Sequence, residues 1–243
     1  MNLYENVDES WIPFLQSLTY QTPLVQHLAG LKEVSYQPLP EQIFRVFGMP
    51  VKDIKMVMLG SDPYPIPGMA TGYAYAVSET SAMPTTLRNL EKEIYTTEGI
   101  RVLNDDNDIV DQSWKTLEHL TKQGIFLLNS ALTVETGAAG SHMEYWKAFT
   151  DAVVSYISSQ NPCVWMLLGK NALSYAGKIK NPLVVRGYDR ETIQDIPVDP
   201  KTNYIIPGFH PLMTGLSGEA VKTDNFYHAN VILEKRSLSK IIW

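Results

Sequence analysis

Lys55-Met56-Val57-Met58-Leu59-Gly60-Ser61-Asp62-Pro63-Tyr64-Pro65-Ile66-Pro67-Gly68 passes from an apolar run straight into a run of turn formers. A short apolar run bounded by Gly and Pro reads as a buried strand, here Lys55–Leu59. The segment after it is rich in residues that set or permit the φ values of a tight loop. Three further runs repeat the pattern: Ile125–Leu128 before Asn129, Cys163–Leu168 before Gly169, and Tyr204–Ile206 before Pro207-Gly208-Phe209-His210. Helical stretches lie between them: Pro84 to Thr97, Trp114–Lys122, His142–Ser159, one starting near Lys170, and Phe226 to Leu238. Proline suits the first turn of a helix, as at Pro84. Strands alternating with helices predict an α/β fold, a single domain over residues 1–243 with a central four-stranded, mostly parallel sheet and helices on both faces. Apolar residues at helical spacing (Phe14, Leu15, Leu18; Leu24, Val25, Leu28, Leu31) make residues 1–50 a helical N-terminal part. Arg101–Asp111 reads as a solvated loop, and the polar stretch 186–202 as a surface-loop insertion.

The totals agree with one packed domain. The chain has 243 residues, 44% hydrophobic and 19% charged, which excludes wholesale disorder. No apolar run approaches the roughly 20 residues of a membrane span. The acidic opening does not resemble a signal peptide, so a cytoplasmic protein without a membrane partner is expected. One cysteine, Cys163, cannot form an internal disulfide, and its apolar setting predicts a buried thiol. No Cys/His cluster has metal-ligand spacing, so no metal site is expected. The net charge of −6 argues against a strongly basic nucleic-acid binder. It does not exclude an enzyme that holds DNA through backbone N–H groups, hydroxyls and a local basic patch.

In a parallel sheet the ligand site lies beyond the carboxyl ends of the strands. Those ends carry Asp62, Asn129, Gly169 and His210. Alone, Asp62 suits a turn or cap, Asn129 a cap, and His210 a hydrogen-bonded loop. Together they predict one crevice with a carboxylate, an amide and an imidazole. Tyr64, Tyr73 and Tyr75 add aromatic faces suited to a flat heterocycle.

Gly60-Ser61-Asp62-Pro63-Tyr64 resembles the water-activating motif of family 1 uracil-DNA glycosylases. The resemblance continues through Met83-Pro84-Thr85-Thr86-Leu87-Arg88-Asn89, the family's proline-rich loop and helix. It extends through Leu127-Leu128-Asn129-Ser130, through Ser141-His142 with Trp146, Phe149, Thr150 and Asp151, through Trp165-Met166-Leu167-Leu168-Gly169, and to His210-Pro211. It spans roughly residues 50 to 235, and several ordered motifs make chance a poor explanation. It implies hydrolysis of the N-glycosidic bond of uracil in DNA, leaving an abasic site, after the base is flipped out. Asp62 and His210 would be catalytic: Asp62 orienting water and opposing charge on the sugar, His210 donating to uracil O2. Ser61, Tyr64, Tyr75 and Asn129 would bind the base, with Asn129 on its O4 and N3–H edge, Tyr64 beside C5 and Tyr75 stacked upon it. Pro84, Thr85, Thr86, Gly169, Pro211, Leu212, Met213 and Thr214 would contact DNA. No cofactor is implied. Uracil-containing DNA is the partner, with a replication or inhibitor protein as a further candidate and a monomer as the expected state.

Departures from the family pattern fall at Ser61, Pro65 and Thr71, where Gln, His and His are usual. After His210-Pro211 the usual H-P-S-P-L-S is replaced by Leu212-Met213-Thr214-Gly215-Leu216. The wedge position falls on Thr214, with Leu212, Met213 or Leu216 as substitutes. The basic pair that often follows is Ser217-Gly218 here. These departures keep open a second class of function, a non-enzymatic DNA- or protein-binding replication accessory factor of the same fold.

Overall fold

The computed structural model describes residues 5–18, 35–98, 113–214 and 223–243. The second part of the expected N-terminal helices, the Arg101–Asp111 loop and Leu216 to Gly218 lie outside the described residues.

Seven strands are described: β1 (Tyr36–Gln37), β2 (Met56–Gly60), β3 (Ile125–Asn129), β4 (Val134–Glu135), β5 (Val164–Leu168), β6 (Pro182–Val184) and β7 (Asn203–Gly208). β1 and β4 form a small antiparallel ribbon. The other five form a sheet of order β3-β2-β5-β7-β6 in which every pairing is parallel. The expectation of four strands is therefore corrected to five. The missed strand, β6, starts on a proline, has three residues, and is largely exposed at the sheet edge. An edge tolerates the missing proline N–H, and the apolar run Leu183-Val184-Val185 is too short to announce a strand.

The four longer strands, β2, β3, β5 and β7, are mostly apolar because helices cover both faces of the sheet. Met56, Met58, Ile125, Leu127, Val164, Met166, Tyr204 and Ile206 pack into one core layer. Their alternates Val57, Leu59, Phe126, Leu128, Trp165, Leu167 and Ile205 pack into the other, with Cys163. The period of two delivers each strand to both layers. The first layer is covered by Thr85–Glu98 and Asn225–Lys235, the second by Met143–Gln160 and the N-terminal part. Trp11 stacks on Phe126 of β3, with ring centroids 5.4 Å apart.

Two further readings are adjusted. The expected helix Trp114–Lys122 is two short helices, Ser113–Thr116 and Glu118–Thr121, broken where Leu117 takes φ +53°. Its buried side chain holds it in that left-handed conformation, which local sequence does not reveal. The stretch 186–202 is polar at its surface but rooted in the core, since Ile193 and Ile196 are buried in the first layer.

Candidate active site

Beyond β2 and β3 the parallel ladder continues into the loops. Gly60 pairs with Asn129. Ser130 N–H then donates to Gly60 O at 3.0 Å, and Ala131 N–H to Ser61 O at 2.9 Å. These bonds fix Ser61-Asp62 beside Asn129. A second loop closes over them: Gly137 N–H donates to Pro65 O at 2.8 Å, and Gly140 N–H donates to Asp62 Oδ2 at 2.7 Å. Burial pushes the Asp62 carboxyl above its ordinary range, opposed by the Gly140 bond.

A cavity of about 290 Å³ opens at this point, lined among others by Asp62, Tyr64, Tyr75, Thr86, Asn129 and His210. Residues from three strand ends thus meet in one pocket, as the strand-end rule predicts. Asn129 is 5% exposed, and no hydrogen bond to its amide is found among the described residues. Its place depends on Gly60. A Cβ there would lie 2.5 Å from Asn129 Oδ1 and 2.9 Å from Ala74 Cβ. Gly60→Ala is therefore expected to displace the amide and to lower stability by about 1–3 kcal/mol through overpacking. Denaturant midpoints check this against Gly177→Ala, where an added Cβ meets nothing within 4 Å.

Both tyrosine hydroxyls are fixed on backbone carbonyls. Tyr75 O–H donates to Leu59 O at 3.1 Å, and Tyr64 O–H donates to Tyr75 O at 3.2 Å. Tyr75 has φ +67°, a conformation that disfavours a bulky residue by about 1–3 kcal/mol. The two hydrogen bonds hold it there, and its hydroxyl finds the partner that burial requires. Ser61 lines the same pocket, and its Oγ accepts from Asn171 Nδ2 at 3.3 Å.

His210 follows β7. Leu212 N–H donates to His210 Nδ1 at 3.2 Å. A ring nitrogen that accepts carries no hydrogen, so the neutral ring holds its hydrogen on Nε2. Burial lowers the His210 pKa, which also favours the neutral form. Gly169, at φ +91°, makes room for it, since a Cβ there would sit 2.8 Å from His210 Cβ.

The expected DNA-contact residues divide. Thr86 and Leu212 line the site cavity. Gly169 and Met213 line a larger neighbouring cavity that shares His210. Pro84 and Thr85 lie at the start of helix Thr85–Glu98, outside both cavities, and Pro211 is buried. Asn89 Nδ2 donates to Pro211 O at 2.8 Å, tying this helix to the His210 loop. Leu212 and Met213 are 47% and 56% exposed at the mouth. The Thr214 side chain lies outside the described residues. Sequence reading missed Gly140 and Ala139, because a main-chain donor such as Gly140 N–H leaves no side-chain signature.

The fold and pocket define an α/β protein that brings a carboxylate, an amide, an imidazole and tyrosine rings to one crevice beyond its strand ends. No protein-family model matches the chain. The chain is 31% identical to uracil-DNA glycosylase 1 of Bacteroides fragilis (strain YCH46), with 98% of each chain covered. It is 32% identical to uracil-DNA glycosylase of Psychromonas ingrahamii, covering 96% of this chain and 100% of that one. Mimivirus uracil-DNA glycosylase shares the fold, with a TM-score of 0.80 at 23% identity over 100% of this chain and 89% of that one. A Y322L form of the mimivirus protein has been solved in complex with UGI. The chain belongs to the uracil-DNA glycosylase family.

Proposed function

We propose that this glycosylase is of family 1 and that Asp62 and His210 carry its chemistry. The reaction is hydrolysis of the N-glycosyl bond of uracil in DNA, the opening step of base excision repair, and it leaves an abasic site. The observation that carries the assignment of roles is the Leu212 N–H bond to His210 Nδ1 in a ring that shares its pocket with Asp62 and Asn129. It leaves a neutral imidazole with an Nε2–H donor for uracil O2 as negative charge grows there. Ionised Asp62, oriented by Gly140 N–H, positions water at the sugar carbon and opposes its positive charge. The water oxygen bonds to that carbon as the C–N bond breaks, the water's spare proton passes to the Asp62 carboxylate, and the bonding electrons leave with uracil as its anion. Asn129, without an internal partner among the described residues, reads the O4 and N3–H edge. Ser61, Tyr64 and Tyr75 complete the base site. Pro84, Thr85, Thr86, Gly169 and the Pro211–Thr214 turn face DNA, with exposed Leu212 or Met213 as the wedge. The chain acts as one domain and a monomer in the cytoplasm; among the described residues no helix is long and apolar enough to cross a membrane. Incubation with a strand containing a single uracil, followed by alkali and analysis of scission, tests the activity.

Tyr64 gives a test of specificity. Its ring fills the space beside C5, so the methyl group of thymine is rejected by collision. Tyr64→Ala is expected to release some thymine while releasing uracil more slowly, because Tyr75 also loses the bond to its carbonyl. Rapid uracil release with no thymine release would remove Tyr64 from this role.

A further inference from the structure

The segment after β6 borders the larger cavity, about 1040 Å³, that meets the active site at His210. An insertion with no role needs no costly ordering, yet this one is pinned at many points. Arg190 Nε donates to Asp224 Oδ1 at 2.7 Å, and its guanidinium lies 4.6 Å from the centre of the Tyr227 ring. Gln194 Nε2 donates to Tyr227 O–H at 3.0 Å, and Lys235 Nζ donates to Ile196 O at 2.7 Å. Tyr204 O–H donates to Pro197 O at 3.1 Å. The result is a fixed wall standing beside the catalytic histidine.

The charges on this wall are unevenly spent. Asp224 is paired with Arg190. Asp189 accepts from Glu191 N–H, Thr192 N–H and the Thr192 hydroxyl, which hold its carboxyl below the ordinary range. Lys170 and Arg186 also line the cavity, and among the described residues neither forms an ion pair. Two aromatic rings accompany them: Tyr188, half-buried against the core, and Phe209, 60% exposed. In the cavity lining, Asn225 Nδ2 and His228 Nε2 are buried without a hydrogen-bond partner among the described residues. Free cations beside exposed aromatic rings are the combination that holds a single nucleic-acid strand, with phosphate on the cations and base on the rings. In a chain of net charge −6, such a local pair supplies attraction that the whole molecule does not.

We propose that this cavity is a subsite for a nucleotide flanking the flipped uracil, with Arg186 and Lys170 on its phosphate and Tyr188 and Phe209 against its base. The proposal rests on the uracil-DNA reading above and deepens it, because it makes the 185–190 wall part of the DNA track.

The test uses the full chain and three single strands: uracil at the centre, uracil with nucleotides only on its 5′ side, and uracil with nucleotides only on its 3′ side. Arg186→Gln changes an exposed side chain and leaves the core intact; Tyr188→Ala removes the ring. For Tyr188→Ala, KM on the central-uracil strand should rise about tenfold. The loss should persist on one of the one-sided strands and vanish on the other. Arg186→Gln should lower the slope of log affinity against log salt by about 0.7, the share of one phosphate on a single strand. Equal losses on all three strands, or no loss on any while the parent releases uracil, would overturn the subsite alone. Failure of the parent to release uracil from any strand would overturn the functional reading, and the subsite with it.

Discussion

Asp62→Asn is expected to lower the single-turnover rate of uracil release by about 10²-fold or more while affinity for uracil-containing DNA changes far less. The substitution keeps the shape of the side chain. Gly140 N–H can still donate to the remaining carbonyl oxygen, so the loop geometry survives. What disappears, on the proposed mechanism, is a negative charge opposing a sugar carbon that becomes positive only as the bond lengthens. Stabilisation confined to the transition state is lost from the rate and not from binding. The same substitution should not lower stability, because it removes a partly buried charge held by a single backbone bond. The pH profile gives a second reading. On the proposed mechanism the ionised carboxylate is the active form, so the rate is expected to fall as pH drops through its pKa. Burial raises that pKa, so the acid limb should lie above the ordinary carboxylate range. In Asp62→Asn this limb should be absent. A variant that cuts at the parent rate would exclude Asp62 from the mechanism.

This pairing of fold with site was largely open to reading because it rests on strong local signals. β2, β3, β5 and β7 are buried on both faces, so their apolar runs stand out from the surrounding helices. Their carboxyl ends follow directly, and with them Asp62, Asn129 and His210. What escaped depends on contacts made across the chain. β6 exists only because β7 offers it an edge. The break at Leu117 and the positive φ of Tyr75 are imposed by packing and by bonds to Leu59 and Tyr64. Gly140 acts through its main chain, which every residue possesses. The stretch 186–202 looked like a surface loop because its polar residues outnumber Ile193 and Ile196, the two that root it. His210 shows the same division on a single residue: its position was legible, but the nitrogen that bears hydrogen was set by a turn two residues on.

That turn leads to the second large effect. His210→Ala is expected to lower the single-turnover rate by about 10²–10³-fold. On the proposed mechanism the donor at Nε2 serves an oxygen whose charge grows as uracil departs. The substitution also leaves the Leu212 N–H without its acceptor, so a simple loss of rate has two explanations: a missing donor or a shifted loop. The leaving group separates them. A 5-fluorouracil anion is more stable than a uracil anion and needs less help to depart. If His210 stabilises the departing base, the penalty of His210→Ala should shrink markedly on a strand carrying 5-fluorouracil. A displaced loop would slow both bases alike, because it spoils their position and not their chemistry. An accessory factor without enzymatic activity predicts neither result, since its parent form would release neither base. Equal penalties on the two bases, with Asp62→Asn still impaired, would leave the carboxylate in place and remove His210 from the leaving-group side of the reaction.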